Sequence, residues 1–361
     1  YQRRVRGMIQ LSAKERDAAC LYQVFTAVVP RQSTDAIQRA WRELQELYPF
    51  LSSVVDKDRL VPADISLPIV VDDEDTHLYA TSHLSSKEAQ LYLHQLQEKT
   101  KLTFCVNHCV FDLFSQVVMF NQFYQLLQGQ PTTPIPRSSM SEFALEVLPP
   151  APFLEKDKFQ FQQSSKQETL PNKSFSAIVG SAIRNKIVQK AKESNLKVYS
   201  LLAAVYIQAL QKHSLKQVRN ITLLCPFSQR NNLNTKNIGF LVEVLALDLE
   251  YRDAVLDLAR QIDAQMQDTP LNSDKFAKLR AVNMLFGSCI FSYGSKDVAL
   301  QIPAESIQFS SQIAFELEQL PMMSVFNVND GMVFNADFEG PIHMSAAKAV
   351  VESMVEAVSQ M

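Results

Sequence analysis

Residues 101–115 read KLTFCVNHCVFDLFS. Leu102, Phe104, Val106 and His108 fall on one face of an alternating segment, with Thr103, Cys105, Asn107 and Cys109 on the other. Period-two alternation predicts a strand that ends near His108. The run FSQVVMFNQFYQLLQG (114–129) changes to helical spacing, with Gly129 placed to end the helix as a C′ residue. A strand-to-helix junction therefore carries a histidine and, four residues later, an aspartate, and side chains at strand ends face clefts more often than those in mid-strand.

The rest of the chain alternates the same two signals. STDAIQRAWRELQELYPF (33–50) predicts a helix capped by Ser33 or Thr34, with Ile37, Trp41, Leu44 and Tyr48 on its stripe and Pro49 stopping it. SKEAQLYLHQLQEK (86–99) fits either a short helix or a strand. Residues 129–173 are rich in Pro, Ser, Gln and Lys and read as a linker. A strand then leads to a helix at 181–195, with Ser181 as its cap and Ile183, Ile187, Val188 and Ala191 as its stripe. An apolar, buried helix is expected at 198–213, strands at 219–231 and 238–250, and a helix at 253–267. MMSVFNVNDGMVFNADFE (322–339) predicts a hairpin turning at Asn329-Asp330-Gly331, and a helix over 345–360 closes the chain. The expected organisation is an N-terminal αβ subdomain over 1–147, a crossover linker over 148–173 and a C-terminal αβ subdomain over 174–361.

Composition narrows the chemistry. The 361 residues are 47% hydrophobic with a net charge of −3, and no basic run marks a nucleic-acid footprint. No apolar run reaches the roughly 18 residues of a membrane span, and no apolar h-region marks a signal peptide. Five cysteines in apolar surroundings suit buried free thiols in a reducing compartment, so a cytoplasmic location is expected. The eight glycines nowhere have the spacing of a P-loop, a dinucleotide fingerprint or a GxSxG elbow.

Three chemistries fit the junction at 105–112. Cys105, Cys109 and His108 are close in sequence, but strand alternation sends both thiols away from the imidazole and no second cluster supplies ligands, so no metal is expected. The same divergence argues against Cys109 as a nucleophile paired with His108. His108 as a general base is the third, since imidazole titrates near neutrality. Local sequence leaves this open beside the commoner alternative, a core histidine in an apolar strand.

NHCVFDLFS (107–115) resembles the HHxxxDG signature of condensation domains and related acyltransferases of the chloramphenicol-acetyltransferase fold. CPFSQRNNLNTKNIGFLVEVLALDL (225–249) is similar to their Pro-x-x-x-Arg turn followed by an (I/V)GxF-type strand. LQELYPFLSSVV (44–55) is similar to their early helix and His-Pro turn, with Tyr48 in place of the His. The helix pair at 184–212 looks most like that of the stand-alone branch, which includes phthiocerol dimycocerosyl transferases and alcohol acetyltransferases. The resemblance implies an α/β fold: two chloramphenicol-acetyltransferase-like αβ subdomains with mixed sheets, arranged as a V around a central tunnel. It implies an HxxxD acyltransferase that moves an acyl group from a phosphopantetheine thioester to a small alcohol or amine. The donor is acyl-CoA or an acyl carrier protein, and no cofactor is permanently bound. His108 maps to the base. Asp112 maps to an architectural carboxylate with Arg230 as its partner, and Asn107 stands at the structural first His of the signature. Leu113 stands where the signature has Gly, at the expected path of the pantetheine arm. Ser228 and Ser310 or Ser311 are candidate oxyanion donors. Two alternatives remain beside this reading: a catalytically inactive interaction module, and a condensation domain of a nonribosomal peptide synthetase that forms an amide bond.

Overall fold

A computed structural model describes residues 8–19, 21–72, 89–139, 157–162, 173–230, 235–266, 287–294, 298–313, 320–338 and 344–361. In chain order the first elements are β1 (Ile9–Gln10), α1 (Ala13–Ala18), β2 (Leu21–Pro30), α2 (Thr34–Leu47), β3 (Ser53–Asp56), β4 (Arg59–Pro62), β5 (Ile69–Val70), β6 (Ala89–Gln95), β7 (Lys99–Asn107) and α3 (Leu113–Leu127). Then come β8 (Lys173–Val179), α4 (Ser181–Glu193), α5 (Val198–His213), β9 (Asn220–Ser228), β10 (Val242–Glu250) and α6 (Val255–Met266). The last are β11 (Cys289–Tyr293), β12 (Ala299–Leu300), β13 (Ser306–Ile313), β14 (Pro321–Val328), β15 (Gly331–Phe338) and α7 (Met344–Ser359). The elements form a mixed α/β structure of two compact units, interleaved along the chain. The first unit comprises Tyr1–Ala144, Lys236–Leu241 and Leu300–Phe315; the second comprises Leu145–Thr235, Val242–Ala299 and Glu316–Met361.

The first unit is built on a sheet of order β13-β2-β7-β6-β5, with β5 parallel to β6 and the other pairs antiparallel. Alternation on β7 places Leu102 and Phe104 beside Ala27 and Phe25 of β2. α2 and α3 supply the aromatic side chains that cover this face: Trp41 meets Phe104 edge-on at 5.3 Å, and Phe120 lies 4.9 Å from both Phe25 and Phe104. α2 is capped by Ser33, whose side chain accepts from Ala36 N, and ends before Pro49 as expected. The ambiguous segment at 86–99 contains a strand, β6, because it pairs with β7 from Ala89 to Gln95 and buries Leu91 and Leu93. α3 ends as the sequence predicts. Gly129 takes φ +71, and Gln130 N reaches back to Gln125 O at 2.9 Å.

The second unit has strands in the order β10-β9-β11-β14-β15-β8, with β11 parallel to both neighbours. Its main apolar cluster is one in which α5, α6 and α7 cover Ile221, Leu223 and Cys225 of β9 and Phe334, Ala336 and Phe338 of β15. The hairpin forms as predicted, with Asn329 at φ 47. Gly331 already lies in β15, where a Cβ would meet Val179 O at 2.3 Å. Two local expectations are corrected. Ser181 is the first helical residue and Gly180 is the cap, because the chain is still extended (φ −75, ψ 174) at Gly180. Val188 is exposed, so the stripe of α4 narrows to Ile187 and Ala191 with Ile183 at its margin. The expected linker at 148–173 lies largely outside the described residues.

Candidate active site

The junction between β7 and α3 is a tight turn. β7 ends at Asn107, in register with Tyr22 of β2. The ladder gains one more bond, from His108 N to Leu21 O at 2.7 Å. Asn107 is buried and fully engaged: its Nδ2 donates to Ala19 O at 2.9 Å, and its Oδ1 accepts from Cys109 N at 2.9 Å. An amide has both the donor and the acceptor this turn needs.

His108 sits one residue beyond the strand and is partly buried. Its Nδ1 lies 2.6 Å from Phe111 O. A carbonyl only accepts, so Nδ1 carries the proton and the neutral ring leaves Nε2 as a lone-pair acceptor. Burial holds the imidazole below its ordinary pKa, while the Phe111 hydrogen bond and the Asp112 charge pull the other way. The net direction favours the neutral base at pH 7. Phe240 packs against the imidazole at 4.9 Å between centroids and 83° between planes.

Asp112 caps α3. Its Oδ1 accepts from Ser115 N at 2.9 Å and lies 2.8 Å from Ser115 Oγ, and its Oδ2 accepts from Leu241 N at 3.2 Å. The carboxylate is 1% exposed, and these donors together with the positive helix terminus compensate its buried charge. Leu241 belongs to a strap, residues 236–241, that packs in the first unit although it is far along the chain. Gly239 O accepts from Asp112 N at 3.3 Å, and Gly239 N donates to Ser115 Oγ at 2.9 Å. On the strap's other side, Ile238 N donates to Pro136 O and Ser138 N donates to Ile238 O, at 3.0 and 2.9 Å. Asn237 Nδ2 reaches Ser138 Oγ at 2.7 Å. Gly239 takes φ +138, and a Cβ there would lie 2.2 Å from Ser138 O, so only glycine passes between these layers. The segment that receives the strap is itself anchored. Ile135 N donates to Tyr48 Oη, and Arg137 pairs with the buried Glu15, which also accepts from Ser139 Oγ at 2.7 Å.

The structure thus brings Asn107, His108, Asp112 and Leu113 into one turn, with Leu113 the first helical residue of α3. Ser310 and Ser311 lie on β13 opposite Val24 and Gln23, and Ser310 is buried. Ser228 ends β9 in the second unit, and its Oγ accepts from Arg230 N and Nη1 at 3.4 and 3.3 Å. Arg230 is buried. Cys105, Cys109, Cys225 and Cys289 are buried and in no disulfide among the described residues, and burial pushes Cys225 up to about 12, which suits core packing rather than nucleophilic work. Cys20 lies outside the described residues. Among the described residues no helix is long and apolar enough to cross a membrane. Sequence reasoning missed Ser115 and Phe240. Ser115 was legible as a Ser three residues after a capping Asp, whereas the approach of Phe240 to His108 is non-local and left no such signal.

No protein-family model matches the sequence, and no curated protein does. Solved structures do match by fold. Polyketide synthase associated protein 5 from Mycobacterium tuberculosis superposes with a TM-score of 0.71 at 16% identity, over 98% of each chain. The EpoB NRPS cyclization-docking bidomain from Sorangium cellulosum gives 0.69 at 11% identity, over 98% of this chain and 85% of that one. The first condensation domain of the CDA synthetase gives 0.66 at 10%, over 98% and 96%. The chain has the two-subdomain α/β fold of condensation domains, as the sequence resemblance implies.

Proposed function

We propose that the protein transfers an acyl group from a phosphopantetheine thioester to a hydroxyl or amine, with His108 as general base. One observation carries this reading. The bond from His108 Nδ1 to Phe111 O fixes the tautomer that leaves Nε2 free to accept a proton. In the reaction, Nε2 takes the acceptor's proton as its oxygen or nitrogen attacks the thioester carbonyl. The tetrahedral intermediate then collapses, breaking the carbon–sulfur bond. The departing thiolate takes the proton back from the imidazolium, so the base is regenerated and a free thiol leaves with the ester or amide.

Asp112 and Asn107 are positioning residues in this scheme, and Arg230 is the proposed partner of the Asp112 carboxylate. Ser228, Ser310 and Ser311 are the candidate oxyanion donors, and Leu113 borders the proposed donor path. The donor rides on CoA or on an acyl carrier protein, and the polyketide synthase and NRPS names of the similar structures favour natural-product biosynthesis; lipid biosynthesis and a cytoplasmic location belong to the same proposal. Leu113 at the head of α3 favours a second reading, an inactive interaction module.

The test is thiol release from a panel of acyl-CoAs and acyl carrier proteins with small alcohols and amines. Wild type should release thiol only when acceptor is present, and His108→Ala should lose about 10²–10⁴-fold in rate with its folding unchanged. The acid limb of the rate profile should fall below the ordinary histidine pKa of about 6.5, in line with the downward shift at His108. No release from any donor, with both proteins folded, would leave the interaction module as the better reading.

A further inference from the structure

The geometry points to Phe240 as a positioning residue that keeps His108 dry and oriented at the end of the strap. The inference rests on the proposed role of His108, but its first readout needs no acyl donor. Three observations carry it. The Phe240 ring meets the imidazole edge to face at 4.9 Å, within the range in which aromatic pairs attract. Its neighbours in the strap are pinned on both sides, Ile238 by Pro136 and Ser138, Leu241 by the Asp112 carboxylate. Ile238 and Leu241 are fully buried while Phe240 is partly exposed, so the strap is anchored by the residues around Phe240 and leaves that ring at the accessible edge beside His108.

The sequence explains this arrangement. Gly239 lets the strap pass within bonding distance of both Ser138 and the first turn of α3. A residue that follows so constrained a glycine has little freedom to move away, and its ring stays where the backbone puts it. A phenyl ring beside an imidazole removes water from one side of it. That penalises the imidazolium more than the neutral base, which is the direction of the shift found at His108. The charged group acting on His108 from its own turn is Asp112, which favours protonation. β2 offers the Leu21 carbonyl, and the strap offers Phe240, with Lys236 exposed at its far end. Phe240 therefore works against Asp112, and the balance sets the proton affinity of the base.

The experiment is an NMR titration of the histidine rings in the full chain, comparing wild type with Phe240→Ala and Phe240→Leu, with His108→Gln used to assign the His108 signal among the six histidines. In wild type His108 should titrate below about 6.5 with the proton on Nδ1. In Phe240→Ala its pKa should rise towards that value, with Phe240→Leu in between because leucine excludes less water than a ring. The acid limb of thiol release should move the same way in each variant. Unchanged titration in a folded Phe240→Leu protein would overturn the inference even if stability fell, since a loss of stability alone does not show that the ring sets the proton affinity of His108. A shifted titration in a protein that transfers no acyl group would sustain this inference and sink the function on which it was built.

Discussion

Both units launch a helix from the end of a sheet strand, and they do so differently. In the second unit β8 ends at Val179, Gly180 is the cap, and α4 begins at Ser181 with no side-chain cap bond. In the first unit β7 ends at Asn107 and α3 begins at Leu113, with residues 108–112 between them. That junction holds a buried carboxylate, a tautomer-fixing bond and a strap from a distant part of the chain. The plain junction shows what the sheet-to-helix connection itself requires, which is one extended residue. Everything more at 107–112 has to be explained by what the turn does. A rigid turn that holds a neutral imidazole at a partly open edge is what general-base chemistry needs.

The largest effect that would break this contrast is expected at Gly239, away from the turn itself. Gly239→Ala forces a Cβ to within 2.2 Å of Ser138 O at a φ of +138. The strap must shift, which adds backbone strain of about 1–3 kcal/mol to the loss of its bonds to Asp112 and Ser115, each worth about 1 kcal/mol. A loss near 4 kcal/mol by urea denaturation is expected, together with a changed His108 titration. Gly129, at φ +71 with nothing within 4 Å of a built Cβ, is the control: Gly129→Ala should cost only about 1 kcal/mol of left-handed strain. Equal costs at the two glycines would mean that the strap gives way freely.

Asp112→Ala is next. It removes the cap, worth about 1 kcal/mol, and strands the buried donors of Leu241 and Ser115, for about 2 kcal/mol more. Asp112→Asn keeps an oxygen for the cap and should cost about half as much. If thiol release falls in step with stability in both variants, Asp112 is architectural, as proposed. A loss of rate in Asp112→Asn far beyond its loss of stability would give the carboxylate a direct part in the chemistry.

Much of this contrast was legible along the chain, because most of its parts are local. The alternation of β7, the helical stripe of α2, the Ser33 cap and the Gly129 C′ residue each follow from residues within a turn or two of one another. So does the position of His108 at a strand end. What the sequence could not place is set by tertiary pairing. β6 read equally as helix or strand until β7 lay beside it. Nothing around Lys236 says that the strap belongs with the first unit, or that β13 pairs with β2 over Ser306–Ile313. Phe240 was in plain view inside NIGFLV, but its meaning comes from a ring more than a hundred residues away. The misplaced cap at Ser181 is a smaller error of the same kind. Serine outranks glycine as a cap, and preference alone put it there, whereas the backbone turns helical one residue earlier than preference suggested.

That error supplies the smallest prediction and the sharpest control. Gly180 holds φ −75 and ψ 174, a conformation open to any residue, and a Cβ built there meets nothing within 4 Å. Gly180→Asp should therefore place a carboxylate oxygen within reach of the free N–H groups of the first turn of α4. The aspartate also sits at the positive end of the helix dipole, and it removes a glycine's freedom from the unfolded chain. Together these should raise stability by about 0.5–1 kcal/mol, read as a higher urea midpoint with an unchanged slope. The titration of His108 and the rate of thiol release should not move. The same residue type at the same kind of position would then be worth a fraction of a kcal/mol in one unit and several times that in the other. A null result at Gly180 would mean that the first turn of α4 already has its donors satisfied. The difference between the two junctions would then lie in the strap alone, and not in the capping carboxylate.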